Sequence, residues 1–309
     1  MTCISHAPII LNVPHYDLCL SWFWEYDADF VRLLESACQA RGLKVLQVTP
    51  QSLESVIPAL ETGQVTFAVY LDRTDHDTPY EPVFRWARDH GSHRINPQEA
   101  AAWAEDKATM HLELISAGLV TPYTIILSPF DEQPGLPKLD LSPLGERFVI
   151  KPSYGGGGDG VIMDATSVEQ VLSRRTEFPH LKYLLQQTIT AQKLDGRDAW
   201  FRVIFCNGEF YSCWWDTQTH IYAPVTADEE TRYGLAPLRD ITARIASLCK
   251  LGFFSTEVAF TAEGTWVVID YVNDQIDMRL QSQALDGVPD VVVEKVSEAL
   301  ARLIEKHRA

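Results

Sequence analysis

The chain has 309 residues, 46% of them hydrophobic and 22% charged, and a formal net charge of −16. That composition excludes a disordered chain and leaves enough length for two or three lobes with cores of their own. The acidic balance argues against a general nucleic-acid role, which needs basic surface to neutralise phosphates, but it allows a local basic pocket for a nucleotide.

In chain order, residues 8–13 read as a short apolar strand and 20–41 as a helix stopped by Gly42. Strands over 43–48 and 65–71 alternate with helices over 51–61 and 82–90, an order that predicts a parallel α/β layer. Trp22, Trp24, Phe30 and Trp86 are expected in its core, and the loop from Asp72 to His76 is expected to help shape a substrate site. Residues 96–118 read as one helix, with Asn96 as its cap and Pro97 at its first position. A strand over 121–127 precedes a loop rich in proline (Pro129, Pro134, Pro137, Pro143), which fits a boundary between lobes.

The rest carries antiparallel signals. Strands are expected over 148–151, 161–163 and 183–187, with a helix over 168–175. The dipeptide Asn207-Gly208 between the apolar runs 200–206 and 209–215 is a hairpin signal. A helix over 237–250, a second hairpin from 253–260 to 266–271, and a helix over 290–307 capped by Asp290 complete the pattern. No run approaches the roughly 18 apolar residues of a membrane span. No basic leader opens the sequence, and the six cysteines (Cys3, Cys19, Cys38, Cys206, Cys213, Cys249) form no CxxC pair. The expectation is a cytoplasmic protein with reduced, half-buried thiols and neither membrane nor nucleic-acid partner. The sequence carries no signal for oligomeric state.

The segment from Phe148 to Met163 is the sharpest in the chain. Gly155, Gly157 and Gly160 fit G-x-G-x-x-G, but strand residues follow where a dinucleotide fingerprint needs a helix, and no Lys-Ser/Thr follows as in a Walker loop. A glycine flap between two strands can bring backbone N–H groups up to phosphate oxygens, and Lys151 at its base adds a point charge. Ordering four consecutive glycines costs chain entropy, so a purely structural loop explains them poorly.

These residues resemble the ATP-grasp superfamily, which includes glutathione synthetase-like and RimK-like carboxylate–amine ligases. The resemblance covers the motifs from Asp106 to Asn273 and, more loosely, the first lobe. It makes Lys107 the first nucleotide lysine, Lys151 the second, and Gly155, Gly156, Gly157, Gly158 and Gly160 the phosphate flap. Gln187, Thr188 and Ile189 resemble the adenine hinge. Asp198, in Gly196-Arg197-Asp198, resembles the acid that holds the ribose hydroxyls. Arg202 is implied to face the transferred phosphoryl group, and Arg279 to serve phosphate or substrate.

Glu257 and Asp270 resemble the magnesium acids, with Asn273 as a third ligand. The usual acid-x-Asn spacing would set both side chains on one strand face. Asp270 and Asn273 are three apart, so either a bulge realigns them or Asp274 or Asp277 supplies the ligand. Glu257 and Asp270 are expected on adjacent strands, where two carboxylates without a cation would repel and raise each other's pKa.

The resemblance thus implies an ATP-grasp fold of mixed α/β and α+β class. It has a parallel lobe at residues 1–96, a central lobe with the flap at 97–188, and a metal-bearing lobe at 189–309, the last two clamping the nucleotide. It implies ATP and Mg²⁺, small-molecule carboxylate and amine substrates, and formation of an amide with release of ADP and phosphate. A small-molecule kinase on the same fold and a non-catalytic ATP-binding module are the alternatives.

Overall fold

Four consecutive buried residues, Leu18, Cys19, Leu20 and Ser21, decide where the first strand lies. They belong to β1, His15–Trp22, which pairs in parallel on both sides, with β2 (Val45–Val48) and β3 (Thr66–Arg73). A strand covered on both faces loses its alternation and reads as a plain apolar run. For that reason the expected helix over 20–41 began too early: residues 20–22 stay in β1, and α1 covers only Ala28–Ala40. The expected strand over 8–13 is also displaced. Residues 8–12 lie outside those the structure describes, and Val13 precedes β1 without pairing.

The computed structural model describes residues 13–75, 77–136 and 138–308, so Cys3, His76 and Pro137 lie outside it. These fall into two compact units, one within Met1–Ile95 and Leu300–Ala309, the other Asn96–Ala299.

In the first unit α2 (Leu53–Glu61) and α3 (Glu81–Asp89) follow β2 and β3, and β4 (His93–Ile95) completes a parallel sheet of order β2-β1-β3-β4. At three residues, β4 is too short to show a period, and the sequence did not suggest it. Phe30 and Trp86 are buried as expected, whereas Trp24 is exposed beside Tyr26. Arg73 holds Asp27 through two bonds, 2.7 and 3.1 Å, with both side chains buried. This fork ties the end of β3 to the start of α1, and charge-assisted bonds of that geometry are the strong ones. Asp72 accepts from the backbone N and hydroxyl of Thr74. Asp27 and Asp72 therefore brace the fold.

The second unit opens with two helices where the sequence suggested one, α4 (Gln98–Glu105) and α5 (Lys107–Ser116). Asp106 between them is extended, and its carboxylate accepts from Ala108 N at 3.0 Å and Thr109 Oγ at 3.0 Å, capping α5. Asn96 caps nothing. Its amide instead bonds Gly252 N, Phe253 N and Phe253 O at 2.6 to 3.0 Å, a long-range clamp that no local pattern reveals.

An antiparallel sheet of order β5-β8-β6-β7 follows, from β5 (Thr124–Leu127), β6 (Phe148–Pro152), β7 (Ile162–Ala165) and β8 (Tyr183–Gln187). Between β7 and β8, α6 (Val168–Arg175) begins with a complete Ser167/Gln170 capping box. Its Val171 packs with Phe148, Ile150 and Leu185.

A two-stranded ribbon, β9 (Lys193–Leu194) and β10 (Arg197–Asp198), leads into the larger sheet. That sheet has the order β13-β12-β11-β14-β15. Its strands are β11 (Trp200–Cys206), β12 (Glu209–Trp215), β13 (Tyr222–Pro224), β14 (Phe253–Phe260) and β15 (Trp266–Asn273). The helices α7 (Ala227–Tyr233) and α8 (Pro237–Cys249) lie between β13 and β14 in the chain, and α9 (Asp290–His307) closes it. Met110 and Leu114 of α5, Leu238 and Ile245 of α8, and Phe201, Val203, Phe254 and Val258 of the sheet share one core. Each such side chain contributes about 1.5–3 kcal/mol by leaving water. That core fixes α5 against the strands that carry the acids.

Candidate active site

β11 and β14 run in unbroken register, which places Arg202 directly opposite Glu257. On the far side of β14, Glu257 stands opposite Asp270 of β15, so the three charged residues form one row across three strands. The β14–β15 register then shifts. Val258 faces Val268, Glu257 faces Asp270 and Ser255 faces Asn273, so β15 gains one residue at each step. Ser255 and Glu257 are two apart on a regular strand and share a face, so their partners Asn273 and Asp270 share it too. The bulge left open by the sequence is present. Thr256 Oγ meets the displaced Asp270 carbonyl at 3.0 Å. Asp277 is turned to Arg279 instead.

The expected repulsion between the two acids is replaced by attraction to cations. Burial pushes the Asp270 carboxyl up, but Lys107, Lys151 and Arg202 more than offset it and hold the group below its ordinary range. Glu257 is buried, with its Oε1 paired to Arg202 Nη2 and its Oε2 accepting from Trp200 Nε1 at 3.0 Å. Burial opposes the charge on Arg202, yet Glu257 and Tyr222 raise its pKa above the ordinary arginine value. Its guanidinium also lies 4.4 Å from the centre of the Trp215 ring and donates to Tyr222 Oη at 2.9 Å. Asn273 Nδ2 is buried and, among the described residues, without a hydrogen-bond partner.

Lys151 reaches this row from the other sheet. It is buried, and its Nζ donates to the carbonyl of Ile269, the residue left over by the first register shift, at 3.3 Å. Burial drives its pKa down to about 8; Asp270 and Glu257 act against that, and Lys107 acts with it. Lys107 starts α5, and its Nζ donates to Gly155 O at 2.6 Å, tying the helix start to the flap.

Gly155, Gly157, Gly158 and Gly160 all have positive φ, as expected of a loop that must turn its amides. Gly155 to Gly158 meet nothing within 4 Å of where a Cβ would stand. Gly160 differs, since a Cβ there would lie 2.9 Å from Phe178 and 3.2 Å from Pro152, so its packing also requires glycine.

The remaining expected residues make other contacts. Gln187 ends β8 with an exposed side chain, while its N–H donates to Tyr123 O at 2.9 Å. Thr188 is exposed, Ile189 half-buried. Asp198 is exposed on the β9–β10 ribbon and pairs with Lys193 at 2.9 Å. Arg279 is held by Asp277 and Asp286. The cysteines within the described residues are buried rather than half-buried, and burial pushes the Cys213 thiol up to about 12 and Cys249 to about 11, far from a reactive thiolate.

No family model and no curated protein matches the sequence. Solved structures do match. A RimK domain ATP-grasp protein from Sphaerobacter thermophilus DSM 20745 superposes with a TM-score of 0.61 at 21% identity, over 92% of this chain and 98% of that one. The chain has the ATP-grasp fold. The D-alanine–D-alanine ligase from Bacillus anthracis complexed with ATP gives 0.62 at 13% identity over 94% and 98%. The ATP-grasp ligase PsnB complexed with minimal precursor, Mg and ADP gives 0.62 at 14% over the same shares.

Within this ATP-grasp fold, several contributors to the cluster escaped the sequence reading. Trp200, Trp215 and Tyr222 look like ordinary strand aromatics, and only the register reveals that they surround Arg202 and Glu257. Asp106 carried a usable signal, an acid directly before the first helical lysine. Among the described residues, no helix is long and apolar enough to cross a membrane.

Proposed function

We propose that the chain is an ATP-dependent ligase that activates a carboxylate as an acyl phosphate and joins it to an amine, releasing ADP and phosphate. The observation that carries this reading is the row Arg202–Glu257–Asp270, with Lys151 and Lys107 acting on Asp270, set in an ATP-grasp fold. Three cations gathered on two acids make a site matched to a polyanion that brings its own metal. The carboxylate oxygen attacks the γ-phosphorus as its bond to the bridging oxygen breaks, and ADP leaves. The amine nitrogen then attacks the acyl carbon, phosphate departs, and the amine loses a proton. Catalysis of this type is chiefly positioning and charge neutralisation.

In this reading Lys107, Lys151 and the amides of Gly155, Gly156, Gly157, Gly158 and Gly160 bind phosphate. Gln187, Thr188 and Ile189 present backbone to the adenine edge, and Asp198 takes the ribose. Arg202 faces the transferred phosphoryl group, and Arg279 serves phosphate or substrate. Among the described residues no three His, Cys, Asp or Glu side chains gather. Two opposed carboxylates and the Asn273 amide are nonetheless a hard-oxygen set of the kind magnesium uses with phosphate oxygens. Bound there with the nucleotide, Mg²⁺ would neutralise charge on the β- and γ-phosphates.

In this reading the nucleotide lies between a central lobe, 97–188, and a third lobe that starts at 189. The site and the composition suit a cytoplasmic enzyme of small carboxylates and amines. PsnB has been seen with a precursor peptide, so a peptide carboxylate is a second substrate class. The kinase alternative rested on the odd Asp270–Asn273 spacing, and the register shift supplies another reason for that spacing. The test is a screen of carboxylate and amine pairs for ADP release with Mg-ATP. A ligase needs both partners and forms an amide. ADP released with a phosphorylated hydroxyl would select the kinase, and tight binding without turnover would select the non-catalytic module.

A further inference from the structure

Tyr271 occupies the stretch that the second register shift opens between Asp270 and Asn273. It is fully buried and takes no part in the chemistry above. The centre of its ring lies 5.2 Å from Lys151 Nζ. Gln186 Nε2 donates to its hydroxyl at 2.7 Å, and also to Thr124 Oγ at 2.9 Å. The phenol's own hydrogen is then directed at His111 Nδ1, 2.6 Å away. Burial and Lys151 hold His111 down to about 4, so at neutral pH the imidazole is neutral and able to accept.

Each contact reaches a different element of the site. His111 lies one turn beyond Lys107 on α5, Gln186 directly precedes Gln187 on β8, and Lys151 is the last residue but one of β6. Among the described residues the Lys151 ammonium has a single long hydrogen bond, to Ile269 O. A desolvated ammonium so thinly bonded gains most from an aromatic face.

We propose that Tyr271 is a positioning residue whose ring seats the Lys151 ammonium and whose hydroxyl, fixed between His111 and Gln186, keeps that ring in place. The assignment rests on the reading of Lys151 as a nucleotide lysine, but the seat itself can be checked without any ligand. In protein labelled with ¹³C-lysine, the Lys151 Cε methylene, assigned by its loss in Lys151→Arg, should be shifted upfield by the ring. The shift should persist in Tyr271→Phe and disappear in Tyr271→Leu. An unshifted methylene in the unmodified protein would overturn the seat whatever the protein binds.

Calorimetry then separates positioning from packing. Tyr271→Leu should weaken ATP about tenfold, leave adenosine within about twofold, and be largely rescued by Tyr271→Phe. In the Lys151→Ala background Tyr271→Leu should cost no further ATP affinity. Equal loss of ATP and adenosine, or additive losses in the double variant, would reduce Tyr271 to a core residue. If Tyr271→Leu does not fold, His111→Leu takes its place, with a smaller loss expected for ATP and none for adenosine. ATP failing to bind the unmodified chain would remove the nucleotide reading and leave the methylene result standing.

Discussion

Two hairpins of one sheet behave differently. β11 and β12 hold a single register from Phe201↔Trp214 to Cys206↔Glu209 around Asn207-Gly208. β14 and β15, next to them, change register twice within a few residues, and the charged groups collect where they do. The regular hairpin buries Phe201, Val203 and Phe205 in the main core. The irregular one gives up ladder regularity, which frees the Ile269 carbonyl for Lys151 and turns Asn273 to the face of Asp270. Bulges beside active sites are a common device for re-aiming side chains. The first hairpin fills the core and lends Arg202 to the charged row, and the second carries both of its acids.

The largest effect expected from that division is on turnover. Asp270→Asn should lower the rate of ADP release about a hundredfold or more, because the acid acts in the charged transition state. Its effect on melting should be a modest fall, since the carboxylate answers Lys107, Lys151 and Arg202. Steady-state kinetics beside a thermal melt checks both halves. In the regular hairpin the balance reverses. Phe201→Ala should cost about 3–5 kcal/mol in a denaturant titration, while the folded fraction keeps its ATP affinity.

Lys151→Ala should weaken ATP about tenfold, the worth of one charge-assisted contact, with the melting temperature little changed. The same lysine gives a pH signature. Its folded pKa of about 8 lies below its unfolded value, so between the two the unfolded chain binds more protons and stability rises with pH. Phosphates beside the ammonium raise that pKa again. Nucleotide binding at pH 9 should therefore take up a proton, and at pH 7 almost none. Calorimetry in buffers of different ionisation heat would read the difference, and Lys151→Ala should abolish it. The smallest effect is at the turn, where Gly208→Ala at φ 90° should cost about 1–2 kcal/mol without touching nucleotide affinity.

Much of this was legible in the sequence, and the exceptions share a cause. α6, β8, β11, β12 and α9 follow the spans expected for them, because such signals act locally, although Asp290 stands inside α9 and accepts from Ser282 N instead of capping it. β1 was misplaced because burial on both faces erases periodicity. The break at Asp106 was missed because helix-forming residues flank it, and Asn96 because its partners lie some 150 residues away. In the site, Lys151 stood out beside its glycine run, while Lys107, Glu257 and Asp270 came only from the family resemblance, and the structure gathers all four. The bulge was only one of two options in the sequence, since register depends on both strands. The cation environment that reverses the expected repulsion depends on a second sheet, and no single strand encodes it.

The central claim is that the irregular hairpin, with the two lysines, is a Mg-ATP site. Thermal melts of the unmodified chain with millimolar Mg-ATP, and with ATP plus a chelator, test it most directly. The account predicts a clear rise in melting temperature with Mg-ATP, by the mass action of a ligand on the native state, and a smaller rise when the metal is removed. A folded protein whose melting temperature does not move under either condition would contradict it.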